Sequence, residues 1–417
     1  MSNSSDFSKI KFCIDGWRGI FADDFTFGWR GIFADDFTFG WRGIFADDFT
    51  FAFADDFTFS NLRKVTWAIA RYLETAYSKD RPILIAYDTR FIADQLACTA
   101  AVALSGLGWM VKISKQNCPT PVIAYNARYL NSAGALMFTA SHHPTLYCGI
   151  KYIPDYGGPA TKEITDTIVA HIKGVTDIPP TEDLTGKFSC FDPKPEYLRF
   201  LYSQLDIERI RHAQLKVKYD ALDSTSFSYL NTVLEHCGCQ TQTQTTRNIL
   251  GVRMPRSFGE QMTILGEVVK QQADLGLMTD REGNRCGIVD EQGNILSSNT
   301  VLILLTRHLI KNKRKKGAIV RTVATTHLLD NLAAQYGLEI YETPVGFKYI
   351  GEKMRQTDVL IGGEESGGLS ILGHIPEKDG FLANLLVAEA IAYEGKPLSQ
   401  IVEEATKEAS SQVYNHC

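Results

Sequence analysis

Ser141 stands in Thr139-Ala140-Ser141-His142-His143-Pro144, directly after the apolar run Ala133-Gly134-Ala135-Leu136-Met137-Phe138. Such a run reads as a short buried strand. A hydroxyl just past a strand's carboxyl end sits at the rim of an open α/β sheet, where these folds gather their ligands. Lys151 follows ten residues later, in Gly149-Ile150-Lys151-Tyr152. A hydroxyl, two imidazoles and an ammonium on one loop suit phosphoryl transfer, in which positioning and charge stabilisation dominate. Taken alone, the stretch reads better as a polar turn after a strand.

Further along, the strand-like Asp274-Leu275-Gly276-Leu277-Met278 runs into Thr279-Asp280-Arg281-Glu282-Gly283-Asn284-Arg285. Residues two apart on an extended loop point the same way. Asp280, Glu282 and Asn284 could therefore aim three oxygens at one hard cation such as Mg²⁺, or simply form a polar hairpin turn. Gly362-Gly363-Glu364-Glu365-Ser366-Gly367-Gly368 follows the apolar Val359-Leu360-Ile361. Its glycines let backbone approach a ligand, and its carboxylate and hydroxyl can hydrogen-bond sugar hydroxyls; a flexible loop is the plainer reading. Thr343-Pro344-Val345-Gly346-Phe347-Lys348 and His374-Ile375-Pro376-Glu377-Lys378-Asp379 add cations to the same unit.

The elements that must position these groups alternate. Ser60 can cap a helix with Leu62, Val65, Ile69 and Leu73 on one face. Strand 83–87, helix 94–106, strand 109–113, a helix near 121–131 and the strand before Ser141 follow. This β/α alternation specifies a mostly parallel sheet covered by helices on both faces. The Pro-rich stretch from Ile178 to Pro195 reads as a connector. A second α/β unit holds strand 215–219, helix 226–236 and strand 274–278. A third, from near Asn299, holds strands 318–322, 338–342 and 358–362 and a helix over 380–394.

With 417 residues the chain needs about three cores. Its 44% apolar and 22% charged content is that of an ordinary globular protein. A net charge of −5 argues against a general nucleic-acid binder. The basic run Lys311-Asn312-Lys313-Arg314-Lys315-Lys316 reads as a helix end and a solvated loop. Nine dispersed cysteines and an N-terminus without a basic-apolar leader suit a reducing, cytoplasmic setting. One feature is unusual. Gly16-Trp17-Arg18-Gly19-Ile20-Phe21-Ala22-Asp23-Asp24-Phe25-Thr26-Phe27 recurs unchanged at 28–39 and 40–51, with a partial copy over 52–59. Copies this uniform mark 28–59 as an insertion, whose removal would join Phe27 to Ser60. Its closely spaced aromatics favour aggregation over an interaction array.

Gly16-Trp17-Arg18-Gly19, the Ser141 loop, the 279–285 loop, Thr343 to Lys348 and Gly363 to Gly368 resemble, in that order, the motifs of the α-D-phosphohexomutases. The bacterial phosphoglucomutase/phosphomannomutase branch is the nearest match, from about Lys11 to about Ala405. The resemblance implies consecutive α/β domains with mixed, mostly parallel sheets around a cleft. Domain I would span 1–185, domain II 186–298 and domain III 299–405, with 406–417 a truncated linker and the fourth domain absent.

The same resemblance implies a function. Ser141 would carry a phosphoryl group, pass it to a hexose phosphate and recover the other phosphoryl from the bisphosphate so formed. Hexose 1-phosphate and hexose 6-phosphate are thereby interconverted, with glucose 1,6-bisphosphate as activator. Arg18, His142 and Lys151 take the other catalytic positions. Mg²⁺ would be held by Ser141, Asp280, Glu282 and Asn284. Lys348, Glu364, Ser366, His374 and Arg285 would bind the substrate, a glucose or mannose phosphate. Neither nucleic acid nor membrane is expected as a partner, and the chain is expected to be a monomer or weak oligomer.

This sequence departs from the family pattern in several places. The family's metal loop reads Asp-Gly-Asp-Ala-Asp-Arg, and here only Asp280 keeps its type. Glu282 is a longer carboxylate, Asn284 a neutral amide, and Arg281 stands where glycine is usual. Hard cations favour carboxylates, so the loop should hold Mg²⁺ more weakly. His143 replaces an asparagine. The repeat offers Arg18, Arg30 and Arg42 for one position, of which Arg18 continues the strand from Ile10 to Ile14. No Ser-Gly-Thr-Glu-Pro-like loop, which clamps the non-reacting phosphate in the family, occurs. Impaired turnover is therefore expected, and an inactive sugar-phosphate-binding descendant or a truncated gene product is the alternative.

Overall fold

The computed structural model describes residues 12–13, 16–20, 59–90, 92–141, 147–173, 188–222, 224–244 and 257–411. The repeat copies between Phe27 and Phe59 lie outside these residues, as do His142, His143 and the side chain of Arg18.

Three mixed sheets organise the described residues. The first is built from β1 (Phe12–Cys13), β2 (Gly16–Ile20), β3 (Ile83–Tyr87), β4 (Val111–Ser114), β5 (Gly134–Phe138), β6 (Tyr147–Ile153) and β7 (Ser189–Phe191), ordered β1-β2-β6-β5-β3-β4-β7. Strands β5, β3, β4 and β7 run parallel, while β6 returns antiparallel to β5 and carries β2 and β1 beyond it. The second sheet holds β8 (Lys216–Asp220), β9 (Gln240–Gln244), β10 (Leu275–Thr279) and β11 (Cys286–Val289), ordered β11-β10-β8-β9. In the third, β12 (Ala318–Thr322), β13 (Ile340–Thr343), β14 (Val359–Gly363) and β15 (Leu369–Ile371) take the order β13-β12-β14-β15.

A common device runs through all three. A parallel strand (β5, β10 or β14) leads into a polar loop, and the chain returns antiparallel alongside it as β6, β11 or β15. The parallel strands are buried along their whole length, which explains why they read as unbroken apolar runs. Each loop therefore leaves from a carboxyl edge and is pinned at both ends.

Helix Phe59–Ala76 buries Leu62, Val65, Ile69 and Leu73 as the spacing predicts. Two bounds differ from expectation. Strand β7 adds to the first sheet beyond residue 185, because Lys112, Ile113 and Ser114 still offer it a parallel edge. Helix Leu398–Ser410 runs on past 405, since Ile401, Ala405 and Ala409 keep burying one face. Among the described residues no helix is long and apolar enough to cross a membrane.

Helix Gly380–Glu394 is the centre of the assembly. Every residue from Gly380 to Ile391 is buried, as befits a helix apolar on all sides. Asp379 caps it, its Oδ1 accepting from the backbone N–H groups of Phe381 (2.9 Å) and Leu382 (3.0 Å). Only glycine fits at its first position, because a Cβ on Gly380 would lie 2.4 Å from the Arg285 carbonyl oxygen. The helix thus stands directly on the loop after β10, and Gly380 donates its N–H to Gly283 O at 2.8 Å.

Farther along the same helix, Glu389 pins the second and third units together. Its fully buried carboxylate accepts from Lys313 Nζ (2.6 Å) and the Asp206 backbone N–H (2.6 Å), and contacts His308 Nε2 at 2.8 Å. Lys313 is therefore a half-buried anchor rather than a fully solvated member of the basic run. Burial alone would raise the Glu389 pKa, but the His308 hydrogen bond and the Lys313 charge outweigh it and hold it below the usual value. Glu389→Ala should cost about 2–3 kcal/mol in urea unfolding, since it leaves a half-buried ammonium and the Asp206 backbone N–H without their acceptor. A depressed carboxylate pKa contributes stability above its unfolded value of about 4.3 and loses it as pH falls further. The margin of wild type over Glu389→Ala should hold near neutrality and shrink below about pH 4. A margin unchanged across that range would contradict the pin.

Candidate active site

Ser141 ends the β5 edge with φ +54°, a left-handed conformation rare for residues with a Cβ. It is 6% exposed. Its hydroxyl donates a short hydrogen bond to Glu282 Oε1. The other carboxylate oxygen, Oε2, accepts from Lys151 Nζ at 2.7 Å and from Thr120 Oγ1 at 2.9 Å. Lys151 lies on β6, the return strand, opposite Met137 of β5. Thr120 opens helix Thr120–Tyr129 and also gives its backbone N–H to Glu282 O at 2.9 Å. One carboxylate of the second unit is thus held by three side chains of the first.

The loop after β10 is folded around Asp280. Its Oδ1 accepts from the N–H groups of Asn284 (2.7 Å) and Arg285 (3.3 Å), a side-chain-to-backbone turn of the kind short acids form. Gly283 has φ +77°, and a Cβ there would meet the Phe381 ring at 2.6 Å. Three polar atoms are left buried without a hydrogen-bond partner: Asp280 Oδ2, Asn284 Oδ1 and Asn284 Nδ2. Burial, followed by the neighbouring Glu282 charge, pushes the Asp280 pKa up to about 6 against the pull of Arg285. Glu282 goes the other way. Burial would raise its pKa, but the charge and hydrogen bond of Lys151, then the Ser141 hydroxyl, keep it ionised well below the usual range.

The sugar-loop candidates sit next door. Arg285 forms a bridge with Gly368, and Cys286 donates its N–H to Gly367 O at 3.2 Å. Glu364, 6% exposed, accepts from the Gly346 N–H at 3.1 Å and from Ser366 Oγ at 3.4 Å. Lys348 lies in the first turn of helix Phe347–Gln356, its ammonium 4.9 Å from the Tyr349 ring centre. Ser141, Lys151, Asp280, Glu282, Asn284, Arg285, Glu364 and Ser366 are thereby joined through a single chain of contacts.

His374 is not part of it. Its side chain is fully buried, stacks on Phe200 at 4.7 Å and meets Asp379 Oδ2 at 2.8 Å. The ring is thus placed between Phe200 and the capping aspartate rather than on the sugar loop. Its neighbour Lys378 lies nearer the chemistry. That stem passes so close to the sugar loop that a Cβ on Gly368 would lie 2.3 Å from Lys378 Cδ, and its charge acts on Glu282. Sequence reading placed Lys378 in the right segment but did not separate it from His374. Thr120 carried no local signal at all.

His142 lies outside the described residues, as does the Arg18 side chain, but the backbone of the Arg18 copy is placed. Strand β2 pairs with β6 in the register Arg18↔Gly149. If that copy serves the site, Arg18→Ala should lower turnover by about 10²-fold, while Arg42→Ala should change it less than twofold. Equal losses from both substitutions would show that the copies share the position.

An all-oxygen set with two partnerless buried oxygens, Asp280 Oδ2 and Asn284 Oδ1, suits a hard divalent cation such as Mg²⁺. The chain matches one family in all three units. Residues 37–178 match the model for phosphoglucomutase/phosphomannomutase alpha/beta/alpha domain I, residues 195–293 that for domain II and residues 297–409 that for domain III. The first match begins within the second repeat copy. Phosphoglucosamine mutase of Caldicellulosiruptor bescii is 29% identical over 338 residues, 80% of this chain and 74% of the relative. The enzyme of that name from Clostridium novyi is 28% identical over 332 residues, 78% of this chain and 73% of the relative. A crystal structure of a putative phosphomannomutase from Thermus thermophilus superposes with a TM-score of 0.81 at 27% identity, covering 96% of this chain and 84% of that one.

Proposed function

The chain belongs to the phosphoglucomutase/phosphomannomutase family, and on that premise we propose that it interconverts hexose 1-phosphates and hexose 6-phosphates through a phosphoryl group carried on Ser141. The observation that carries this reading is the convergence of Ser141 and Lys151 on Glu282.

In the forward half-reaction a sugar hydroxyl oxygen attacks the phosphorus on Ser141 and the Oγ–P bond breaks. The sugar hydroxyl's proton ends on Ser141 Oγ, restoring the O–H that donates to Glu282. The reverse half-reaction runs the same exchange with the bisphosphate's other phosphoryl group. Lys151 faces the developing negative charge as a fixed ammonium, held by its ion pair with Glu282 instead of by solvent. Glu364 and Ser366 would bind sugar hydroxyls, with Lys348 and Arg285 as cations for the substrate's phosphate. Ser141, Asp280, Glu282 and Asn284 would hold Mg²⁺, which when bound offsets charge on phosphoryl oxygens. With an amide in place of one carboxylate, that ion should bind weakly and turnover should be low.

Glucose and mannose phosphates are the first choice, activated by glucose 1,6-bisphosphate. Glucosamine phosphates are the second reading, because the similar curated relatives carry the name phosphoglucosamine mutase. Phosphorus NMR of each 1-phosphate with trace bisphosphate and Mg²⁺ tests both. Conversion of glucose 1-phosphate at the highest kcat/KM supports the first reading. Conversion of glucosamine 1-phosphate alone would replace it, and no conversion of any of them would leave only sugar-phosphate binding.

A further inference from the structure

The left-handed backbone of Ser141 is hydrogen-bonded on both sides by neighbouring side chains. Its N–H donates to Thr139 Oγ1 at 3.0 Å. The Thr139 hydroxyl faces Asp88, whose pKa burial raises while the Arg90 charge and this hydroxyl act against the rise. Asp88 Oδ2 accepts from Arg90 Nε at 3.1 Å, and its Oδ1 accepts from the Arg90 backbone N–H at 2.9 Å. Arg90 Nη2 donates to the Ser141 carbonyl oxygen at 2.8 Å. Thr139 is fully buried, and the Arg90 and Asp88 side chains are only 5% and 3% exposed.

We propose that Thr139, Asp88 and Arg90 are positioning residues that fix the direction of the Ser141 hydroxyl for phosphoryl transfer. An ion pair serving packing alone would have no reason to reach the Ser141 peptide. Here the fork of one guanidinium divides between a carboxylate and that carbonyl, which a single ammonium cannot reproduce. Without the two main-chain bonds, a residue bearing a Cβ would leave the left-handed region for a commoner one. The Cα–Cβ bond would swing with it and carry Oγ off Glu282. Misplacement of a reacting atom by about 1 Å can cost about 10²-fold in rate. The strain at Ser141 is in this sense part of the site, kept in place by surroundings that overdetermine it.

The inference rests on Ser141 being the phosphoryl carrier, and the experiment separates the two. Full-length wild type, Thr139→Val and Arg90→Lys are mixed with glucose 1,6-bisphosphate and Mg²⁺, quenched over time, and Ser141 phosphorylation is read by mass. Steady-state kcat and KM for glucose 1-phosphate are measured beside it, with a thermal melt for each protein. Both variants should slow phosphorylation and kcat by about 10- to 100-fold while KM stays within about twofold. The double variant should lose less than the product of the single losses, because both act on one residue. Thr139→Val, which removes only a hydroxyl, keeps the test open should Arg90→Lys fail to fold. Wild-type rates in folded variants would overturn the positioning role alone, as would losses in kcat that track the melting temperature. A wild type that takes no phosphoryl group on Ser141 would overturn the functional reading and the positioning role with it.

Discussion

Ser141→Ala should leave a folded protein whose mutase turnover is lower by at least about 10⁴-fold, the scale on which removal of an essential nucleophile acts. The side chain donates only to Glu282, and that carboxylate keeps Lys151 and Thr120 when the hydroxyl is gone. Stability should therefore change by about 1 kcal/mol or less, the net worth of one hydrogen bond. Phosphoryl incorporation from glucose 1,6-bisphosphate should vanish. A variant retaining a tenth of wild-type turnover would mean that the phosphoryl group travels by another route.

Glu282→Ala has a different signature, because it strikes chemistry and fold together. Lys151 is 7% exposed in its side chain and the carboxylate 2%. Removing the acid leaves a buried ammonium unpaired, at a cost of about 3–5 kcal/mol. It also frees the Ser141 hydroxyl and removes one oxygen of the candidate cation site, so turnover should fall by about 10²–10³-fold. Urea unfolding and the mutase assay read the two losses separately. The double variant Glu282→Ala/Lys151→Met should recover much of the stability, since neither charge remains buried, without recovering activity. Recovery of both would reduce the pair to a structural role.

These residues were legible in the sequence to different degrees. Ser141, Asp280 and Glu364 each follow a fully buried parallel strand, and a polar residue after an uninterrupted apolar run is a local signal. Their shared geometry was not local. The antiparallel returns β6, β11 and β15 that turn each loop back are set by pairing, and short apolar runs do not declare direction. Helix Gly380–Glu394 was legible from its length, although apolarity on every side gives it no periodic face. Thr120 reaches Glu282 across 162 positions and Arg90 reaches Ser141 across 51, separations at which only the fold decides. The packing at His374 has the same origin. A histidine among cations suggests a ligand, and nothing local shows that Asp379, five residues on, also holds its ring. Lys313 likewise looks solvated in sequence and is instead the half-buried partner of Glu389.

The most direct measurement is the intact mass of purified, folded protein after incubation with glucose 1,6-bisphosphate, with and without Mg²⁺, followed by peptide mapping. The account predicts one added phosphoryl group, on Ser141, appearing only when Mg²⁺ is present. A folded protein that stays unmodified, or one modified at a residue other than Ser141, would contradict it.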